Sequence, residues 1–221
     1  MIRVVIADDQ AIVRAGFTVI VEAAGDIEVV GEAKDGYEAV EVAQRLRPDV
    51  VCMDIRMPGR DGIEATRQLS ADPGGAIPVL VVTTFDLDDY VFGALEAGAA
   101  GFLLKGSNEE TLVAAIRSVA AGEGTLDQLL TRRVLAEFAQ RRPSAEAKRD
   151  ELSALLTGRE LEILVLLCEG LSNHEIAARL FIEPSTVKYH LAGLLGKIGA
   201  RDRLQAVVWA FQHGIVAPHA G

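Results

Sequence analysis

The stretch from Asp49 to Gly62, DVVCMDIRMPGRDG, decides the fold of this chain. Its first residues are almost uniformly apolar and run directly into Asp54, which is typical of a short strand buried on both faces of a parallel sheet. Three other segments have the same character: IRVVIA at Ile2–Ala7, PVLVV at Pro78–Val82 and GFLL at Gly101–Leu104. Helix-period segments separate them, so the sequence predicts an α/β domain with helices on both faces of a parallel sheet.

Each of these predicted strands ends at a polar residue. The residues are Asp8 and Asp9 as a pair, Asp54, Thr83 and Lys105. In open parallel sheets, ligands bind outside the carboxyl ends of the strands, so we expect the five side chains to share one site. Any one of them alone could equally be a solvated strand end, but five in register argue for a functional site.

Three carboxylates at one sheet edge repel one another unless a cation lies between them. Mg²⁺ suits such a set because it prefers oxygen ligands and is commonly held by one or two carboxylates together with phosphate oxygens. We therefore predict a magnesium site with Asp9 and Asp54 as ligands and Asp8 binding directly or through water. The main-chain carbonyl of Arg56 is a further candidate ligand.

With a cation in place, Asp54 can act as a nucleophile toward a phosphodonor. The charge that develops on the transferring phosphoryl group would be offset by the cation and by Lys105, and Thr83 could hydrogen-bond a phosphoryl oxygen. The predicted chemistry is phosphorylation of Asp54.

Residues 1–121 resemble the receiver domain of two-component response regulators. The resemblance rests on four segments: VVIADDQ ending at Gln10, DVVCMDIRMPGRDG, PVLVVTTF from Pro78 to Phe85, and AGAAGFLLK from Ala97 to Lys105. It implies a five-stranded parallel sheet of the flavodoxin-like type.

The resemblance also assigns roles residue by residue. Asp54 is similar to the phosphoacceptor, Asp8 and Asp9 to the metal-binding acids, and Lys105 to the phosphate-pairing base. Thr83 matches the switch hydroxyl and Phe102 the switch aromatic. The spacing to Lys105 favours Thr83 over the adjacent Thr84, and the surface from Phe85 to Ala99 is expected to change its contacts on phosphorylation.

Length and composition are consistent with two small domains and a cytoplasmic protein. The chain has 221 residues, half of them apolar, and no apolar run reaches the length of a membrane span. The amino terminus lacks the pattern of a secretory signal, and two lone cysteines do not make a disulfide scaffold. Cys52 is expected to be a small buried hydrophobe rather than a redox group.

Charge and polarity divide the chain into three parts. The predicted receiver carries the whole net charge of −10, whereas residues 153–221 are balanced. Any contact with DNA must therefore come from a local face of the second domain. Residues 122–152 are predicted to be a linker: a short helix over Leu126–Ala139, with an apolar stripe suited to a dimer contact or to packing on the receiver, and then a polar tether.

Residues 153–221 predict a helical domain. Thr157 with Glu160 and Ser172 with Glu175 have the spacing of capping boxes that open two helices. Leu161, Leu164, Val165 and Cys168 are expected to face inward on the first helix. Pro184 stops the second helix, and Ser185 is expected to cap the third.

The third helix is the candidate recognition helix. Val187, Leu191, Leu194 and Ile198 have the spacing of its buried face, so Lys188, Tyr189 and Ala192 are expected on another side. In a helix-turn-helix the amino-terminal part of this helix meets base edges, and nearby groups hold phosphates. The candidate DNA-binding residues are Ser185, Thr186, Lys188, Tyr189, His190 and Lys197. Periodicity alone favours a small helical bundle with Lys188 as a solvated charge.

Residues Leu156–Val216 resemble the LuxR-type helix-turn-helix domain nearly end to end. Together with a receiver, this makes the chain similar to the NarL/FixJ class of response regulators. The resemblance implies a sensor histidine kinase and double-stranded promoter DNA as partners, a homodimer on phosphorylation, and RNA polymerase as a further candidate partner. Trp209 is either a dimer-face residue or a partly buried aromatic.

Two other functions fit parts of the sequence. The receiver could act as a dimerisation or ligand-sensing module that works without phosphorylation. A magnesium-dependent phosphohydrolase could use Asp54 as its nucleophile, but it would leave the second domain unexplained. We expect a regulator and not an enzyme.

Overall fold

The computed structural model describes residues 1–84, 88–126 and 155–215, without the side chains of residues 88–90, 92, 125 and 126. The chain divides into two compact units, Met1–Thr125 and Leu126–Gly221. The predicted linker helix lies outside the described residues except for its first residue, Leu126, which is in a strand instead. The tether also lies outside them, as does Phe85 at the start of the predicted responsive surface.

The first unit alternates strands and helices. Its strands are β1 (Ile2–Ala7), β2 (Ile27–Ala33), β3 (Val50–Met53), β4 (Val79–Thr83), β5 (Gly101–Leu104) and the two-residue β6 (Thr125–Leu126). Its helices are α1 (Ala11–Ala23), α2 (Gly36–Leu46), α3 (Gly62–Ser70), α4 (Asp88–Glu96) and α5 (Glu109–Ala120). Asp35, Asp61 and Asn108 cap α2, α3 and α5 with their side chains.

The strands form one sheet in the order β2-β1-β3-β4-β5-β6. The four pairings among β1 to β5 are all parallel, which confirms the predicted five-stranded parallel sheet. The added β6 extends the edge beyond β5. In this order β1 lies between β2 and β3. The chain first adds β2 on one side of β1 and then continues with β3 on the other side, so the strand order reverses between β1 and β3, where a ligand site is expected.

Burial explains why these segments become strands. Every residue of β3 and β4 is buried, as expected for strands covered on both faces. One face packs against α1 and α5 through Val21, Leu112, Ile116 and Val119. The packing of the sheet therefore fixes where the carboxyl end of each strand lies.

The second unit has four described helices: α6 (Gly158–Cys168), α7 (Asn173–Leu180), α8 (Pro184–Ile198) and α9 (Arg203–Gln212). Both predicted capping boxes are present, at Thr157 with Glu160 and at Ser172 with Glu175. The expected inward face of α6 was partly wrong. Leu164 and Cys168 are buried, but Leu161 and Val165 are only half-buried. Ile163 and Leu167 fill the core instead, because α7, α8 and α9 cover a broader arc of α6 than a single stripe.

None of the described helices is long and apolar enough to cross a membrane. Cys52 and Cys168 are both buried thiols, one in each unit. Burial raises the pKa of Cys52 to about 12, so its thiol stays protonated and unreactive at neutral pH.

Candidate functional site

The carboxyl ends of four strands bring the predicted polar residues together. Asp8 follows β1, Asp54 follows β3, Thr83 is the last residue of β4, and Lys105 follows β5. Asp8, Asp54 and Thr83 are all at least 95 % buried, which is unusual for polar side chains and requires that partners hold them. The sheet register thus assembles one buried polar pocket.

Lys105 links the two buried carboxylates. Its Nζ lies 2.5 Å from Oδ2 of Asp8 and 2.8 Å from Oδ2 of Asp54. Partial burial lowers the pKa of Lys105, but the hydrogen bonds and negative charges of Asp54 and Asp8 outweigh it and raise the pKa overall. Lys105 is therefore the shared cationic partner of Asp8 and Asp54.

Backbone amides orient the remaining carboxylate oxygens. Ile55 N donates to Oδ1 of Asp54 at 2.8 Å, and Gln10 N donates to Oδ1 of Asp8 at 2.9 Å. Oδ2 of Asp8 is buried and has no hydrogen-bond donor besides its ion pair. A buried carboxylate oxygen of this kind suits a further cationic partner.

The acidic cluster fits a divalent cation. One carboxylate oxygen from each of Asp8, Asp9 and Asp54 lies within 4.8 Å of the other two, and Asp9 is exposed at the rim. An all-oxygen, incomplete ligand set that leaves room for water and phosphate suits Mg²⁺. Arg56 lies two residues beyond Asp54 on the loop between β3 and α3, where its main-chain carbonyl is a candidate ligand.

The two threonines at the end of β4 differ in position. Thr83 is buried beside the pocket and its carbonyl oxygen accepts from Lys105 N at 2.8 Å, whereas Thr84 is exposed. Phe102, the predicted switch aromatic, is 1 % exposed on β5 in this structure. Thr83 therefore lies among the buried polar residues at this sheet edge, and Thr84 does not.

Two glycines at this site were missed by the sequence analysis. A Cβ at Gly62 would overlap the carbonyl oxygen of Asp54, and one at Gly36 would come 2.5 Å from the carbonyl oxygen of Arg60. The signal was present: Gly62 follows the cap Asp61 as the first residue of α3, a position where glycine costs helix stability without a packing reason.

In the second unit, α7 and α8 form the predicted helix-turn-helix. Val187, Leu191 and Leu194 are buried, and Lys188, Tyr189 and Ala192 are exposed on the other side of α8, as expected. Ile198, also expected on the buried face, is only half-buried near the end of the helix. The expected cap at Ser185 was wrong. Glu183 is the cap residue, without a side-chain hydrogen bond, and Pro184 begins the helix, because proline suits the first helical position and Ser185 falls inside it.

The other candidate DNA-binding residues lie in different surroundings. Ser185 is exposed, and Thr186 and His190 are half-buried, with the His190 ring edge-on to Tyr189 at 5.5 Å. Lys197 is at the far end of α8, where its Nζ lies 2.6 Å from Oε2 of the buried Glu160. The structure therefore brings Ser185, Lys188 and Tyr189 to one exposed face and places Lys197 in an ion pair within the unit.

Both units match known protein families. Residues 4–117 match the response regulator receiver domain, and residues 154–210 match the bacterial regulatory proteins of the luxR family. The chain belongs to the response regulators that join a receiver to a LuxR-type DNA-binding domain. Proteins of this kind are DNA-binding regulators of two-component systems, and this chain is one of them.

Full-length relatives agree with the assignment. The transcriptional regulatory protein LiaR of Bacillus subtilis is 44% identical over 219 residues, which cover 98% of this chain and 100% of LiaR. The response regulator protein VraR of Staphylococcus aureus is 40% identical over 215 residues, 97% of this chain and 99% of VraR. The crystal structure of the response regulator ChrA, from a heme-sensing two-component system, is 39% identical with a TM-score of 0.53 and covers 97% of this chain and 98% of ChrA.

Proposed function

We propose that Asp54 is the phosphoacceptor and that its phosphorylation controls binding of promoter DNA by α8. The observation that carries this proposal is the pocket in which buried Asp54 meets Lys105 Nζ at 2.8 Å beside an acidic cluster. A histidine kinase is the expected donor, since the receiver and the DNA-binding domain together are typical of two-component systems.

In the proposed transfer, a carboxylate oxygen of Asp54 forms a bond to the phosphorus of a phosphohistidine. The phosphorus–nitrogen bond breaks, and the imidazole nitrogen keeps the electron pair and takes a proton from solvent. Lys105 stabilises negative charge on the phosphoryl oxygens. Mg²⁺, when bound by Asp8, Asp9, Asp54 and the Arg56 carbonyl, supplies charge neutralisation for the same oxygens.

Thr83 and Phe102 are proposed to report the new phosphoryl group. The hydroxyl of Thr83 would donate to a phosphoryl oxygen, and Phe102 on the adjacent β5 would adjust its packing. The resulting change reaches the surface of α4, where contacts with a second copy or with the DNA-binding unit would alter. Either dimerisation or release of the DNA-binding unit would follow as the output.

For DNA recognition we propose Lys188 and Tyr189 at base edges or phosphates, with Ser185, Thr186 and His190 as further phosphate contacts. A dimer would place two copies of α8 at half-sites about 34 Å apart, one helical turn of DNA. Because Glu160 already holds Lys197, that lysine is assigned mainly to domain stability. RNA polymerase is a further proposed partner, and the cytoplasm the proposed location.

The direct test is intact-mass measurement after incubating the purified protein with Mg²⁺ and a small-molecule phosphodonor. We expect one added phosphoryl group on the wild type and none on Asp54→Asn, which has nearly the same shape but no nucleophilic carboxylate. An equal adduct on Asp54→Asn would contradict the assignment. Continuous turnover of a small phosphoester would instead favour a phosphohydrolase.

A further inference from the structure

The loop between β3 and α3, residues 55–61, is held at two points that lie on opposite sides of Arg56. At its base, Gly62 N donates to the carbonyl oxygen of Ile55 at 2.8 Å. At its tip, Gly36 N at the start of α2 donates to the carbonyl oxygen of Arg60 at 3.1 Å. The first turn of α2 therefore restrains the segment that carries the proposed metal-binding carbonyl.

The side chain of Arg60 adds a second contact to α2. Its Cζ lies 4.3 Å from the centroid of the Tyr37 ring, a distance suited to a cation–π interaction. The Arg60 side chain is only 19% exposed, and its buried Nε has no hydrogen-bond partner, since Oε1 of Glu64 is 3.7 Å away. Nη1 donates to Oε1 of Gln68. The Tyr37 ring face therefore adds to the Glu64 ion pair and the Gln68 hydrogen bond as a third partner of this largely buried cation.

Tyr37 is itself well placed to hold the loop. Oδ1 of Asp35 caps α2 by accepting from Tyr37 N at 3.0 Å and Glu38 N at 2.9 Å. The ring lies over the turn at Gly59, which has φ +77°, and a Cβ there would come 3.4 Å from the ring. The cap fixes the backbone of Tyr37, which is 60% exposed, and one side of its ring lies against both Gly59 and Arg60.

We propose that Tyr37 and Arg60 are positioning residues that hold the β3–α3 loop in its cation-binding conformation. Neither side chain would touch the cation. They raise the cation affinity of the acidic cluster because a loop that is already ordered loses less conformational entropy on binding. This inference rests on the proposed function, which makes the cluster a magnesium site.

The contact has a consequence for the order of events at the site. Because Mg²⁺ would neutralise charge on the phosphoryl oxygens in the proposed transfer, a weaker contact between Tyr37 and Arg60 would appear first as a higher Mg²⁺ concentration needed for phosphorylation. At saturating Mg²⁺ the phosphorylation rate would recover. A residue that merely supports the fold is not expected to lower the phosphorylation rate only when Mg²⁺ is limiting.

The test compares Tyr37→Ala with Tyr37→Phe in the full-length protein. Mg²⁺ affinity is measured by calorimetry, with Asp9→Ala as the baseline for cations bound elsewhere on this acidic chain. We expect Tyr37→Ala to raise the Kd about threefold to tenfold, since outer contacts and exposed cation–π pairs have effects of this order. Tyr37→Phe keeps the ring face and should stay near the wild type.

A second readout needs no cation. Amide hydrogen exchange of residues 55–60 in the metal-free protein should be faster in Tyr37→Ala than in Tyr37→Phe, while exchange in β1 and β3 stays unchanged. Arg60→Lys keeps the charge but loses the planar guanidinium, and it should behave like Tyr37→Ala. If Tyr37→Ala does not fold, Tyr37→Leu replaces it as a variant with apolar bulk and no ring face.

The possible failures are distinguishable. A wild-type protein that binds no Mg²⁺ above the Asp9→Ala baseline would overturn the proposed function and this inference with it. A wild type that binds Mg²⁺, with Tyr37→Ala at the same affinity and the same loop exchange, would overturn this inference alone.

Discussion

In the receiver, Lys105 pairs with a buried carboxylate 51 residues away, whereas in the DNA-binding unit Lys188 and Tyr189 are neighbours on an exposed helix face. The first arrangement depends on sheet register and on burial, so its residues contribute to folding as well as to the proposed chemistry. The second depends on one amphipathic helix, so its outer residues can change with little effect on the core. Folding and function should therefore be coupled in the receiver and separable on α8.

The largest expected effect follows from removing the cation of the pocket. Lys105→Met leaves Asp8 and Asp54 buried without their partner, which typically costs about 3–5 kcal/mol when one member of a buried pair is lost. We expect a lower unfolding free energy for the metal-free receiver and a larger stabilisation by Mg²⁺ than in the wild type. Denaturant titration followed by circular dichroism, with and without Mg²⁺, measures both. An unchanged unfolding free energy of Lys105→Met would contradict the proposed coupling of folding and function in the receiver.

A second effect concerns a buried acid of the DNA-binding unit. Asp202 caps α9 by accepting from Gln205 N at 2.9 Å, and burial raises its pKa to about 6 from 3.8. Because the folded-state pKa lies above the unfolded one, the contribution of Asp202 to stability is full below about pH 4 and is lost as pH rises through about 6.

Asp202→Asn keeps a capping side chain and does not titrate. It should match the wild type at or below about pH 3.5 and exceed its unfolding free energy by up to about 3 kcal/mol at pH 7.5. Trp209 is the single tryptophan and lies in this unit, so its fluorescence reports the transition. The pKa of Glu160 is lowered overall, so Glu160 affects stability in the opposite direction and at lower pH. Because both proteins contain Glu160, its effect cancels when their unfolding free energies are subtracted. A pH-independent difference would contradict the assignment.

A third comparison separates binding from stability on one helix. Lys188→Ala should weaken binding to a selected DNA duplex about tenfold and reduce the salt dependence by about one counterion, with unchanged stability. Lys197→Ala should instead lower the unfolding free energy by about 1 kcal/mol, because the buried Glu160 loses its partner. Anisotropy titrations at two salt concentrations and denaturant curves measure both. If Lys197→Ala weakened DNA binding as much as Lys188→Ala, Lys197 would be assigned to the DNA interface.

The smallest expected effect concerns two helix ends of the same geometry. Arg47 ends α2 and Phe181 ends α7, both in the left-handed region, at φ 48° and 54°. Arg47 is tied to Asp72 at 2.7 Å, whereas Phe181 is 95% exposed. Phe181→Gly should therefore raise stability by about 1 kcal/mol, and Arg47→Gly should not. Thermal unfolding of the two variants checks the contrast.

Much of the fold could be predicted because strand ends coincide with polar residues. Asp54, Thr83 and Lys105 each follow or end an apolar run, and parallel topology then places them together. The capping boxes at Thr157 and Ser172 were readable for a similar reason, since their geometry is local.

Other features depend on how loops and helices meet, which periodicity does not encode. The contact between Tyr37 and Arg60 needs the path of the β3–α3 loop, and the pair of Lys197 with Glu160 needs the crossing of α6 and α8. The cap at Ser185 was mispredicted because proline can either precede or begin a helix, and here Pro184 begins it.

The central claim is that phosphorylation at Asp54 controls DNA binding by α8. The most direct measurement is the DNA affinity of wild type and Asp54→Asn, each with and without Mg²⁺ and phosphodonor, alongside their molecular mass in solution. The account predicts tighter binding and a dimer mass for the phosphorylated wild type alone. Equal DNA affinity of phosphorylated and unphosphorylated wild type would contradict it and favour a receiver that acts without phosphorylation.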